Sequence, residues 1–104
     1  MKFVVGTVDE LEEGRLMADL PDGEQVLIVE DGGKLYALAA LCPHQFAPLI
    51  GGDVEDGVLV CPLHGWRFAL HDGNDPDNPY ICVRTWDVGR DGDQIWVETG
   101  AAAG

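Results

Sequence analysis

Leu41-Cys42-Pro43-His44-Gln45-Phe46-Ala47-Pro48-Leu49 and Cys61-Pro62-Leu63-His64-Gly65-Trp66-Arg67-Phe68 are the two stretches on which the reading of this chain turns. Each places one soft thiolate and one imidazole a residue or two apart, with a proline directly after the cysteine. Such a pairing suits a transition metal better than a packed core. Four-Cys iron-sulfur sites and Cys/His zinc sites are the two broad options. Structural zinc usually shows a Cys-x2-4-Cys pair beside a His-x3-5-His pair, and here neither half is a pair of one kind. A zinc-stabilised binding module stays open as the alternative on ligand types alone.

Cys-x-His followed by Cys-x2-His, with the flanking residues quoted above, resembles the two cluster-binding loops of the Rieske family, and the likeness runs through roughly residues 4–97. The resemblance implies one [2Fe-2S] cluster, with Cys42 and Cys61 on one iron and His44 and His64 on the other. It also implies an all-β fold, a small sandwich or barrel carrying a cluster-binding subdomain of two loops. The chain looks like a soluble ferredoxin of a bacterial oxygenase system, or the similar small subunit of an NADH-dependent nitrite reductase. The implied partners are a flavin-dependent reductase and a terminal oxygenase, or the nitrite reductase large subunit, and the implied role is electron carrier rather than enzyme. The respiratory, high-potential members carry a disulfide between the loops and Ser and Tyr hydroxyls that donate to cluster sulfurs. The matching positions here are Ala47 and Leu63, Trp66 and Phe68, none of which can do so. A potential nearer about −150 than +300 mV is therefore expected.

Size and composition fit one small metallodomain. A chain of 104 residues suits a single domain, read as residues 1–99 with a disordered tail at 100–104. Hydrophobic residues make up 46% and the mean hydropathy is near zero, as in a soluble globular protein. No apolar run reaches the length of a spanning helix, so no membrane partner and a cytoplasmic location are expected. A monomer is the expected state. Nineteen Asp and Glu against six Lys and Arg give a net charge of −13, which disfavours nucleic acid as a ligand. Residues 41–52 and 61–66 carry no Asp, Glu, Lys or Arg, while Asp53, Glu55, Asp56, Asp72, Asp75 and Asp77 lie just beyond. If the loops form a tip, Phe46, Pro48, Leu49 and Trp66 supply an uncharged contact patch inside an acidic surround, suited to transient docking.

Strand signals alternate with turn signals and no long helical period appears. Strands are expected over residues 3–8, 15–20, 25–30, 34–40, 57–60, 67–70, 81–88 and 94–98, with one helical turn within residues 9–14. Asp31-Gly32-Gly33 reads as a hairpin turn, and residues 75–79 as a Pro- and Asp-rich loop. Pro43, Pro62 and Gly65 suit rigid, close-fitting loops. His71 reads as a solvated turn residue, Cys82 as a small buried hydrophobe or idle thiol, and Trp86 and Trp96 as core aromatics.

Overall fold

The computed structural model describes residues 2–41, 49–62, 65–78 and 80–98, and no α-helix occurs among them. The central element is β3, Gln25–Asp31, whose four consecutive residues Val26, Leu27, Ile28 and Val29 are all fully buried. An unbroken apolar run of this kind is what a strand covered on both faces requires, because successive side chains point to opposite sides. Leu27 and Val29 enter one core, while Val26 and Ile28 enter the other.

Around β3 the chain forms a four-stranded antiparallel sheet in the order β2 (Arg15–Asp19), β3, β4 (Lys34–Ala39), β8 (Thr85–Trp86). The β3–β4 hairpin turns through Gly32 and Gly33, both at positive φ, with Asp31 facing Lys34. A two-residue turn of that hand matches the strand twist, and glycine adopts it without steric cost. On the Val26/Ile28 side lies a second sheet, β1 (Lys2–Thr7), β10 (Gln94–Glu98), β9 (Val88–Asp91), which contributes Ile95 and Val97 to the core. The two sheets approach each other where β1 lies near β2 and β4 near β9. On the Leu27/Val29 side sits a small sheet of β5 (Asp53–Glu55), β6 (Val58–Val60) and β7 (Arg67–Ala69). Its Leu59 and Phe68, both fully buried, complete that core with Leu38, Ala40, Leu49, Cys61, Leu70 and Val83. The all-β architecture with a separate small sheet agrees with expectation.

Three sequence expectations need correction. The continuous strand over residues 81–88 is broken: Thr85–Trp86 pairs with β4, whereas Val88–Asp91 pairs with β10. The chain changes sheets at Asp87, so one run of strand-forming residues serves two ladders. Cys82 forms an isolated bridge with Asn74 and is exposed and free, which rules out the buried hydrophobe of the two readings and leaves the idle thiol. Trp96 is half-buried: its ring lies over Gly89, its partner in the β9–β10 ladder, with the Lys2 ammonium 4.1 Å from the ring centroid. Strand β5, with acids at both ends, was not foreseen. The helical turn is a single 3-10 turn, Val8–Glu10. Residues 99–104, which include the expected tail, lie outside the described residues.

Gly52 fixes how the small sheet seats. A Cβ there would fall well inside van der Waals distance of the Val60 carbonyl oxygen, whereas a Cβ on Gly51 would meet nothing within 4 Å. Gly52→Ala should therefore cost about 1–3 kcal/mol through forced displacement of backbone. Gly51→Ala should be near neutral. Thermal unfolding of the two variants side by side measures the difference, and equal melting temperatures would contradict the close approach.

Candidate metal centre

Both cassettes begin where a strand ends against the core of the small sheet. Strand β4 delivers Ala40 and Leu41 to the edge of residues 42–48, and the chain returns at Leu49, whose N–H donates to the Ala40 carbonyl at 2.8 Å. The two ends of that segment are thus held together. Leu49 then accepts from the Gly52 N–H at 2.9 Å across a 3-10 turn, Leu49–Gly51. The second cassette is closed in the same manner. Cys61 N–H donates to the Trp66 carbonyl at 2.7 Å, and Gly65 N–H donates to the Cys61 carbonyl at 3.1 Å. Gly65 takes a φ of +70, which a residue with a side chain adopts rarely, so the turn depends on glycine.

The two closures are adjacent. Gly52, the residue after the 3-10 turn, lies against the carbonyl of Val60, the residue before Cys61, and Asp53 pairs with Val60 in the β5–β6 ladder. Ala40, Leu49 and Cys61 share one buried cluster. Cys61 itself is 1% exposed and free of any disulfide. Pro62 and Gly65 immediately beyond it are exposed. A thiol at the floor of an open turn, beside the base of a second Cys/His segment, is a donor set suited to a metal cluster bridging two segments.

Of the four ligands expected from sequence, Cys61 is described; Cys42, His44 and His64 lie outside the described residues, as do Pro43, Phe46, Ala47, Pro48 and Leu63. Among the described residues no group of three or more His, Cys, Asp or Glu side chains is assembled for a metal. Phe68, at the position where a Tyr would stand in a high-potential relative, is fully buried without a hydroxyl. Trp66 is half-buried against the same core.

The chain matches the Rieske [2Fe-2S] domain family over residues 1–87. It belongs to that family. It is 30% identical over 96 residues to the ferredoxin component of the alkene monooxygenase system of Xanthobacter autotrophicus, covering 91% of this chain and 79% of the relative. The fold superposes on the ferredoxin of carbazole 1,9a-dioxygenase from Nocardioides aromaticivorans IC177 with a TM-score of 0.80, 35% identity, and coverage of 93% and 96% of the two chains. A small subunit of an NADH-dependent nitrite reductase from Mycobacterium tuberculosis gives a TM-score of 0.86 at 26% identity, covering 97% and 96%. Several curated relatives are much longer, and the chain spans only 11% to 32% of these. The cofactor of this Rieske domain is one [2Fe-2S] cluster, and the zinc alternative falls away.

The contact patch expected at the tip is revised by the structure. Leu49 is fully buried and belongs to the core, and its neighbour Ile50, 38% exposed, stands at the surface instead. Asp53, Glu55, Asp56, Asp72 and Asp77 are exposed as the charge pattern suggests. Arg67 pairs with Asp77, tying the acidic loop to the strand that follows the second cassette. Within that loop Asp75 and Asn78 side chains accept from the N–H groups of Asp77 and Tyr80 at 2.8 and 3.0 Å, the local bonding that makes Asx residues turn formers. His71 is solvated and 3.2 Å from the Asp72 carboxylate.

Sequence reasoning overlooked Arg15, whose Nη1 reaches the carbonyls of Ile50 and Gly52 at 3.3 and 2.9 Å. Its signal was available: it is the sole Lys or Arg between Lys2 and Lys34, in a strongly acidic stretch.

The contrast between the thiols is directly measurable. Iodoacetamide applied to the native holoprotein should alkylate exposed Cys82 and leave Cys61 unmodified until the protein is unfolded, as read by peptide mass mapping. Rapid native labelling of Cys61 would contradict its burial.

Proposed function

We propose that this Rieske protein is a one-electron carrier that takes an electron from a flavin-dependent reductase and delivers it to a terminal oxygenase, without itself making or breaking bonds in a substrate. The observation that supports it is the adjacency of the two cassette bases, with buried Cys61 facing an open turn. Cys42 and Cys61 would anchor one iron, and His44 and His64 the other. When bound, the cluster supplies one-electron chemistry, at a potential raised because two neutral imidazoles replace two anionic thiolates. Each imidazole ligand keeps a second N–H, which makes His44 and His64 the natural electrical contacts with a partner. Trp66 and Phe68 bring no hydroxyl donor, which favours the lower part of the Rieske range.

A second reading, a small subunit bound to a nitrite reductase large subunit, is favoured by the fold likeness to the Mycobacterium tuberculosis protein. The two differ in assembly. A carrier purifies alone as a monomer, whereas a subunit copurifies with its large partner.

Ligand identity is testable by composition and spectroscopy. Purified protein should contain two irons and two sulfides, and its reduced EPR spectrum should have the low average g of mixed His/Cys ligation. His44→Ala or His64→Ala should destroy or convert the cluster, while His71→Ala and Cys82→Ala should leave it intact. A spectrum like that of an all-Cys ferredoxin would overturn the assignment.

Docking through the uncharged tip has its own test. Truncating Phe46 or Trp66 to Ala should slow reduction by the reductase several-fold with the cluster spectrum unchanged, since a few aromatic contacts dominate such interfaces. Neutralising Asp53, Glu55 and Asp56 together should lower the association rate mainly at low salt, where the Debye length is long. Stopped-flow reduction across a salt series separates the two effects. Wild-type rates in both aromatic variants would move the docking site elsewhere.

A further inference from the structure

We infer that Arg15 is a positioning residue for the cluster: it fixes the exit of the first cassette against the entry to the second and holds a positive charge beside them. The inference rests on the reading that Cys61 and the first cassette share the cluster.

Arg15 opens β2 immediately after a tight turn, in which Glu12 and Arg15 exchange backbone hydrogen bonds of 2.8 and 2.9 Å around Glu13 and Gly14, both at positive φ. The Gly14 carbonyl further accepts from the Glu30 N–H at 2.8 Å. This anchors the Arg15 backbone to the central sheet. From there Nη1 reaches 35 and 37 residues along the chain to the carbonyls of Ile50 and Gly52. Gly52 in turn lies against Val60, next to Cys61. A single guanidinium therefore links the central sheet to the seam between the cassettes.

Its charge is also unusual among the arginines. Arg67 pairs with Asp77, and Arg84 with Glu24 at 3.1 Å. Arg90 is exposed and bonds its own turn at Gly92. Among the described residues the Arg15 side chain bonds only carbonyls, its Nε is buried without a partner, and no carboxylate forms an ion pair with it. Glu10, Glu12, Glu13 and Asp53 rim the groove around it but are exposed to solvent. Residues 35–66 contain no Lys or Arg at all. Arg15 is thus a cation brought to the first cassette by the fold, partly shielded from screening by solvent. A positive charge so placed favours the extra electron of the reduced state.

The test compares Arg15→Met with Arg15→Lys in the holoprotein. Three quantities are read: the rate of cluster loss to an iron chelator, from bleaching of the visible band; the reduction potential, by dye-coupled titration; and amide hydrogen exchange in residues 49–60. Losing a charge-assisted hydrogen bond should speed cluster loss about tenfold in Arg15→Met. The potential should fall and exchange at Gly52 should rise. Arg15→Lys should recover the potential, because the charge remains, while recovering retention only in part, because an ammonium lacks the planar fork. A purely structural role would leave the potential of the surviving cluster at the wild-type value in both variants, and that result overturns the inference. So does wild-type chelation and exchange in Arg15→Met. A wild-type protein without the mixed His/Cys EPR signal would instead bring down the ligand reading, and this inference with it.

Discussion

The approach of Gly52 to the Val60 carbonyl is the constraint on which the molecule depends. It sets one cassette base against the other, and only a residue without a side chain can stand there. Everything nearby is arranged to hold that contact. Leu49 turns inward to seal the core beneath it, the β5–β6 ladder begins one residue later, and Arg15 grips the carbonyl of Gly52 from the opposite side. With Ala47 and Leu63 at the positions of a disulfide in respiratory relatives, no covalent link joins the cassettes there. On the proposed ligation, backbone packing and the cluster would share that role, which would link metal binding to local folding.

The fold was legible where local chemistry acts alone. The two Cys/His cassettes, the Gly32-Gly33 hairpin and the apolar run of β3 each announce themselves through residue type and spacing, and their consequences match the family. What escaped reading depended on contacts distant in sequence. Nothing in residues 81–88 indicates that the chain changes partner at Asp87, because the strand-forming character is continuous and only the neighbouring ladders differ. Leu49 looked like a tip residue because it follows an uncharged stretch, yet the 3-10 turn rotates it into the core and presents Ile50. Trp96 looked like core because it is large and apolar. The bare surface of Gly89 and the ammonium of Lys2 give it a berth on the sheet face instead. The proposed ligand set follows the same division: its four residues are a proposal from sequence, while the burial of Cys61 in the core of the small sheet is a tertiary fact.

Charge is partitioned in a way that suits a carrier. No charged residue is buried among the described ones, so the carboxylates shape the long-range field from the surface. The few cations are used locally. Lys2 and Lys34 lie against aromatic rings, Arg84 stacks on Trp86 while reaching Glu24, and Arg67 holds the acidic loop in place. An acidic exterior of this sort repels copies of itself and welcomes a basic partner.

The doubly buried strand has a consequence for how the chain finds its pairing. In most sheets one polar and one apolar face make a slip of one residue prohibitively costly. For β3 the penalty is weak, because sliding by one residue would exchange Val26 and Ile28 for Leu27 and Val29, apolar sets of similar bulk. Hydrophobicity therefore says that this strand lies inside but not in which alignment. That information resides at its ends: in the Gly32-Gly33 turn, which admits one pairing of Asp31 with Lys34, and in exposed Gln25 and Glu30, which a slip would drag toward the core. A few residues at the margins thus carry the alignment of the central strand of the protein.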